Sequence, residues 1–112
     1  MTTRSFSQRV EEILVCINRI KINEQYLSEA EAIGNSELFD MAFDAILMNL
    51  LVIGENVKAS FDQFTQDYPS IPWASIAKLR DRIAHHYHHV DSREIQAAID
   101  EPLQQLLNAL TR

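Results

Sequence analysis

From Phe6 to Leu27 the apolar side chains recur mostly at intervals of three and four: Phe6, Val10, Ile13, Leu14, Ile17, Ile20 and Leu27. That is the period of an amphipathic α-helix, and no stretch of the chain alternates as a half-buried strand does. Gly34-Asn35 ends the first helix, read as about Ser5 to Ile33, because both residues tolerate a left-handed backbone. Ser36 then caps a second helix from about Glu37 to Ala59, with Glu37 in its first turn. Leu38, Met41, Ala42, Ala45, Ile46, Leu50 and Ile53 make this helix apolar on more than one face. Such a helix lies at the centre of a bundle or faces a partner chain. Ser60 and Asp62 allow a short third helix, Phe61 to Tyr68, which Pro69 ends. Pro72 suits the first turn of a fourth, with Trp73, Ile76, Ala77, Arg80 and Ile83 in register up to Ala84 or His86. Asp91 or Ser92 caps the last helix, and Pro102 inside it should kink it or split it in two. The expectation is an all-α, up-and-down helical bundle of four main helices plus a short one, a single domain over residues 1–112.

With two glycines and three prolines there is little room for linkers or for the turns of a β-fold. The single cysteine, Cys16, excludes an internal disulfide, fits a reducing cytoplasm, and lies in an apolar run that reads as core. The polar N-terminus has no signal-like apolar region, and Ile46 to Gly54 is too short to span a bilayer. The expected location is therefore cytoplasmic. A net charge of −6 argues against broad, non-specific nucleic-acid binding. It leaves room for a local site: between Lys78 and Arg93, Lys78, Arg80, Arg82 and Arg93 outnumber Asp81 and Asp91.

That positive segment contains Arg80-Asp81-Arg82-Ile83-Ala84-His85-His86-Tyr87, and all 4 histidines, His85, His86, His88 and His89, cluster around Tyr87. A guanidinium is a permanent planar cation that fits phosphate, and an imidazole near neutrality both takes and gives protons. Arg80 and His85 point about 140° apart on an ideal helix. They converge only if the helix loosens near His85, if Arg80 curls around, or if a second subunit contributes. Asp81 and His85, at i and i+4, share a face, so Asp81 is placed to hold the imidazole and favour its protonated form. Each residue also has a plain reading: a surface ion pair for Arg80 and Asp81, a helix-end carbonyl ligand for His85, a packing ring for Tyr87. A metal reading rests on His85 and His89 at i and i+4 with Asp91 as a third donor. No glycine-rich phosphate loop, Gly-x-Ser-x-Gly or paired-cysteine motif is present.

Ile53-Gly54-Glu55, Tyr68-Pro69-Ser70-Ile71-Pro72-Trp73, the Arg80–Tyr87 run and Val90-Asp91 together resemble a HepT-like protein of the HEPN superfamily. The resemblance extends in order and spacing from Ala45 through Asp91, and Asp100-Glu101-Pro102-Leu103 resembles the family's final helix. It implies an all-α homodimer that is the toxin of a toxin–antitoxin module, a metal-independent ribonuclease with its motif in a cleft at the dimer interface. The implied partner is a minimal nucleotidyltransferase antitoxin, MNT, and no cofactor or metal is implied. Carried over residue by residue, Arg80 binds the scissile phosphate and His85 acts in proton transfer. Tyr87 matches the tyrosine to which the antitoxin transfers AMP from ATP, adding bulk and negative charge where RNA phosphate must lie. Asn49 reads as a buried polar residue bonded within or across the dimer, and Glu55 as a partner for Arg80 or Arg82.

The chain departs from the family at His86, where Gly or Glu is frequent, at His88-His89, and at Asp81, where Asn is frequent. Arg80, His85 and Tyr87 are intact. The alternative function is a non-catalytic module that binds nucleotide or RNA, or docks on its partner.

Overall fold

A computed structural model describes residues 4–111. Five α-helices follow one another: α1 Phe6–Ile33, α2 Ser36–Ala59, α3 Phe61–Asp67, α4 Trp73–His86 and α5 Ser92–Leu110, with a single 3-10 turn, Tyr87–His89, between the last two. The described residues contain no strand. The all-α expectation holds, and none of the described helices is long and apolar enough to cross a membrane.

Local chemistry sets the helix ends. Ser5 and Gln8 close a reciprocal capping box at the start of α1, satisfying two otherwise orphaned amides. Gly34 ends α1 at φ 67°, a conformation costly for any residue with a Cβ. The cap of α2 is Asn35, not Ser36: the Asn35 side chain accepts from the Leu38 amide at 3.1 Å. The left-handed Gly34 delivers Asn35 directly into the extended conformation that a cap needs, so the helix starts one residue earlier than the sequence suggested. Asp91 caps α5 by accepting from the Arg93 amide at 2.8 Å. Pro102 does not split α5, which runs unbroken past it. Ile99 and Leu103, buried on either side of the proline, hold the helix against the core across the missing backbone bond.

α2 is the central helix, packed along α1 and also against α4. Ile46, Leu47, Leu50, Ile53 and Val57 are its buried face, against Ile13, Ile17 and Ile20 of α1. Ile95, Ile99, Leu103 and Leu106 close the core from α5. Phe64 lies between Phe6 and Trp73, with ring centroids at 4.6 and 4.7 Å, and the Trp73 indole N–H donates to the Tyr68 carbonyl at 2.8 Å. These contacts fix the start of α4 and hence the helix that carries the Arg80 segment.

One buried polar network sets the register of α1 on α2. Asn56, 1% exposed, donates to Glu12 at 2.8 Å and to the Val52 carbonyl at 3.0 Å, and accepts from Arg9 at 3.1 Å. A buried amide so bonded satisfies both its ends, which favours one register over its neighbours.

Candidate functional site

The site forms where α4 crosses α2. Gly54 faces Arg80 so closely that a Cβ there would meet Arg80 Cβ and Cγ at the root of its side chain. This approach carries the Arg80 side chain along α2 to Glu55, one residue on. Arg80 Nε donates to Glu55 Oε1 at 3.0 Å, and Nη2 donates to the same oxygen. Its third nitrogen, Nη1, donates to Asp81 Oδ1 at 3.0 Å, and Lys58 Nζ donates to that oxygen at 2.8 Å. Arg80 is thus fixed between two carboxylates, with 22% of its side chain exposed. Its hydrogen bonds to Glu55, then to Asp81, make the guanidinium harder still to deprotonate. The ammonium of Lys58, then Arg80, holds the Asp81 carboxyl below the usual carboxylate range.

The expected pairing of Asp81 with His85 is not what the helix makes. Helical spacing puts the two on one face, but the Asp81 oxygen turns toward a lysine and an arginine, which offer charge-assisted bonds. His85 is exposed and its side chain makes no hydrogen bond among the described residues. α4 stays α-helical through His86, so the chain does not loosen before His85 to swing it toward Arg80. Nor does Arg80 curl around to it, since all three of its nitrogens are turned to Glu55 and Asp81.

The other expected residues separate. Glu55 takes Arg80 rather than Arg82, which instead forks onto Glu94 of α5 at 2.7 and 2.9 Å. Asn49 is buried and bonded within its own helix, donating to the Ala45 carbonyl at 2.8 Å. Asn49 and Glu55 both line a groove of about 760 Å³ between α1 and α2, with Arg4, Glu12, Arg19 and Met48. His85, His89 and Asp91 do not come together as a donor set: among the described residues no three His, Cys, Asp or Glu side chains form a metal-binding group. His86, His88 and His89 are all exposed, and the His88 ring meets Tyr87 edge-on at 5.4 Å.

Tyr87 opens the 3-10 turn that follows α4, 43% exposed. Its hydroxyl donates to Asp44 Oδ1 on α2 at 2.6 Å. That bond, followed by partial burial, raises the phenol above its ordinary value, since a phenolate beside a carboxylate is disfavoured. Beside the pair, Leu47, Met48, Leu51, Ile83 and Ala84 line an apolar groove. Asp44, Lys58 and Glu94 escaped the sequence reading. Each is a charged residue on an exposed helix face whose partner is fixed by a helix crossing rather than by any spacing along the chain.

The family described as ribonuclease HepT-like matches residues 13–112. A protein of Thermococcus cleftensis named "Probable ribonuclease HepT" is 34% identical over 62 residues, covering 55% of this chain and 56% of the relative. A Methanocaldococcus jannaschii protein, named as a candidate RNase, is 41% identical over 58 residues, covering 43% of this chain and 48% of the relative. The chain thus spans about half the length of the curated relatives it matches. No solved structure matches it.

Proposed function

Because the chain belongs to the HepT-like ribonuclease family, we propose that it is a metal-independent endoribonuclease and the toxin of a two-component module, acting on RNA in the cytoplasm as a homodimer. In this reading a minimal nucleotidyltransferase, MNT, is its antitoxin and neutralises it by transferring AMP to Tyr87. The observation that carries the proposal is Arg80: a guanidinium held at the surface by Glu55, on the helix that also presents the exposed His85. A positioned cation stabilises charge developing on a phosphate without the cost of reorganising at the moment of reaction.

Arg80 binds the scissile phosphate as RNA displaces one of its two carboxylates. His85 transfers the proton of the attacking or departing oxygen, work for which an imidazole near neutrality is suited. The straight helix through His85 supports the homodimer, because Arg80 and His85 of one chain point about 140° apart. A two-fold axis that brings two copies of the segment together lets the arginine of one protomer work with the histidine of its partner. Arg80, Asp81, Arg82, Asn49 and Glu55 then act by holding that cleft in shape, and Arg80 also by touching the phosphate.

The test is RNA cleavage by purified, unmodified protein beside His85→Ala, with a chelator present. Cleavage by the native chain alone supports the proposal, and equal cleavage by both overturns it. A second reading, a non-catalytic module that binds RNA or nucleotide or docks on its partner, is favoured by the neutralisation of Arg80 by Glu55 and Asp81. It predicts folded dimers that bind RNA and leave it intact.

A further inference from the structure

The Tyr87 hydroxyl has one hydrogen-bond partner among the described residues, and it is a carboxylate on another helix. We propose that Asp44 is the proton acceptor for nucleotidyl transfer to Tyr87. The inference rests on the reading of Tyr87 as the AMP acceptor and adds to it a catalytic group supplied by the modified protein itself.

A phenol has an ordinary pKa of about 10, so near neutrality only about one molecule in a thousand is the phenolate. The hydrogen bond to Asp44 lowers that fraction further by holding the proton on the phenol. The nucleophile is therefore the neutral phenol, and its proton has to leave as the bond to phosphorus forms. A base within hydrogen-bond reach of that proton meets the geometric requirement for general-base catalysis. Asp44 Oδ1 stands 2.6 Å from the phenolic oxygen and accepts its hydrogen bond. Both side chains are exposed, so a nucleotide carried by another protein reaches them without unfolding either helix. The His88 ring meets the Tyr87 ring edge-on at 5.4 Å.

The step balances as follows. The Tyr87 oxygen forms a bond to the α-phosphorus of ATP bound to the nucleotidyltransferase. The bond from that phosphorus to the β-phosphate oxygen breaks, and pyrophosphate leaves. The phenolic proton passes to Asp44 Oδ1 and then to water. Asp44 touches a reacting atom, whereas Glu55, Lys58 and Asp81 do not take part.

The test is adenylation of the full chain by a minimal nucleotidyltransferase with magnesium and ATP, followed by intact-mass and peptide mass spectrometry. The variants are Asp44→Asn, which keeps the size and an acceptor oxygen but loses the base, and Tyr87→Phe. Tyr87→Phe should take no AMP, and Asp44→Asn should be modified about 10²-fold more slowly at neutral pH. That deficit should shrink as pH rises toward the phenol range, where hydroxide removes the proton, a rescue that a merely structural role would not give. Modification of Asp44→Asn at Tyr87 at the native rate overturns the inference while the acceptor reading stands. A native chain that takes no AMP at Tyr87 overturns the acceptor reading, and the inference with it. Melting temperatures of both variants verify that the exposed substitutions leave the fold intact.

Discussion

Gly54 and Arg80 face each other at the crossing of α2 and α4 with no room for a side chain between them: a Cβ at position 54 would lie 2.1 Å from Arg80 Cβ and 3.4 Å from its Cα. Cβ atoms have no rotamer by which to escape, so any larger residue has to push the helices apart. Gly54→Ala gains about 1 kcal/mol of helix propensity. Overpacking costs about 1–3 kcal/mol against it. The expected outcome is a melting temperature lowered by several degrees and RNA cleavage reduced beyond the loss of folded protein, because Arg80 moves with α4. An unchanged melting curve together with full activity contradicts the close approach.

Arg80→Lys tests the fork rather than the charge. A lysine keeps the cation but cannot offer three nitrogens to Glu55, Asp81 and a phosphate together. Cleavage should fall by about 10-fold or more for a loss of about 1.4 kcal/mol in the transition state. Its melting temperature should stay close to the native one, since solvent-screened surface ion pairs contribute little to stability. Cleavage kinetics beside calorimetry read the two effects separately.

Asp81 gives the fold an acid-sensitive contact. Its carboxyl titrates below the ordinary range because of Lys58 and then Arg80. A depressed folded pKa contributes stability that is present above the unfolded value, about 3.9, and is lost as pH falls through the lower folded value. Melting temperatures of the native chain and Asp81→Asn should therefore converge on acidification from neutrality to below that window. Parallel curves throughout would mean the pair is not formed in solution.

Tyr87 should titrate above the ordinary phenol value in an ultraviolet phenolate titration. Asp44→Asn should bring it back toward about 10. Here the sign is opposite to that of Asp81: a raised folded pKa gives stability present below the unfolded value and lost as pH rises through the folded one. A Tyr87 titration that ignores Asp44→Asn would show that the 2.6 Å contact does not persist in solution.

The helices were legible because α1 and α5 write their buried faces at intervals of three and four, and Gly34 punctuates the chain where one helix ends. The cap shifted from Ser36 to Asn35 because cap competence belongs to backbone conformation as much as to side-chain type. Glu55 opposite Arg80 was one of two partners foreseen, and the choice between Arg80 and Arg82 was made by Gly54, whose missing side chain lets only one of them lie along α2. Asp81 misled because local helical spacing names a neighbour but ignores Lys58, brought from α2 by tertiary packing. Asp44 was invisible: Tyr87 is 43 residues away, and nothing along the chain links the two.

The two-residue connection Gly34-Asn35 has a consequence for the order in which the molecule assembles. Closing so short a loop costs little chain entropy, and the α1–α2 contacts grow outward from it, the local topology that folds fastest. The hairpin thus presents Asp44, Glu55 and Lys58 on one locally closed unit, and α4 brings Arg80, Asp81 and Tyr87 to them from far along the chain. The helix pair that closes locally therefore holds the receiving side chains, and the docking of α4 completes the arrangement.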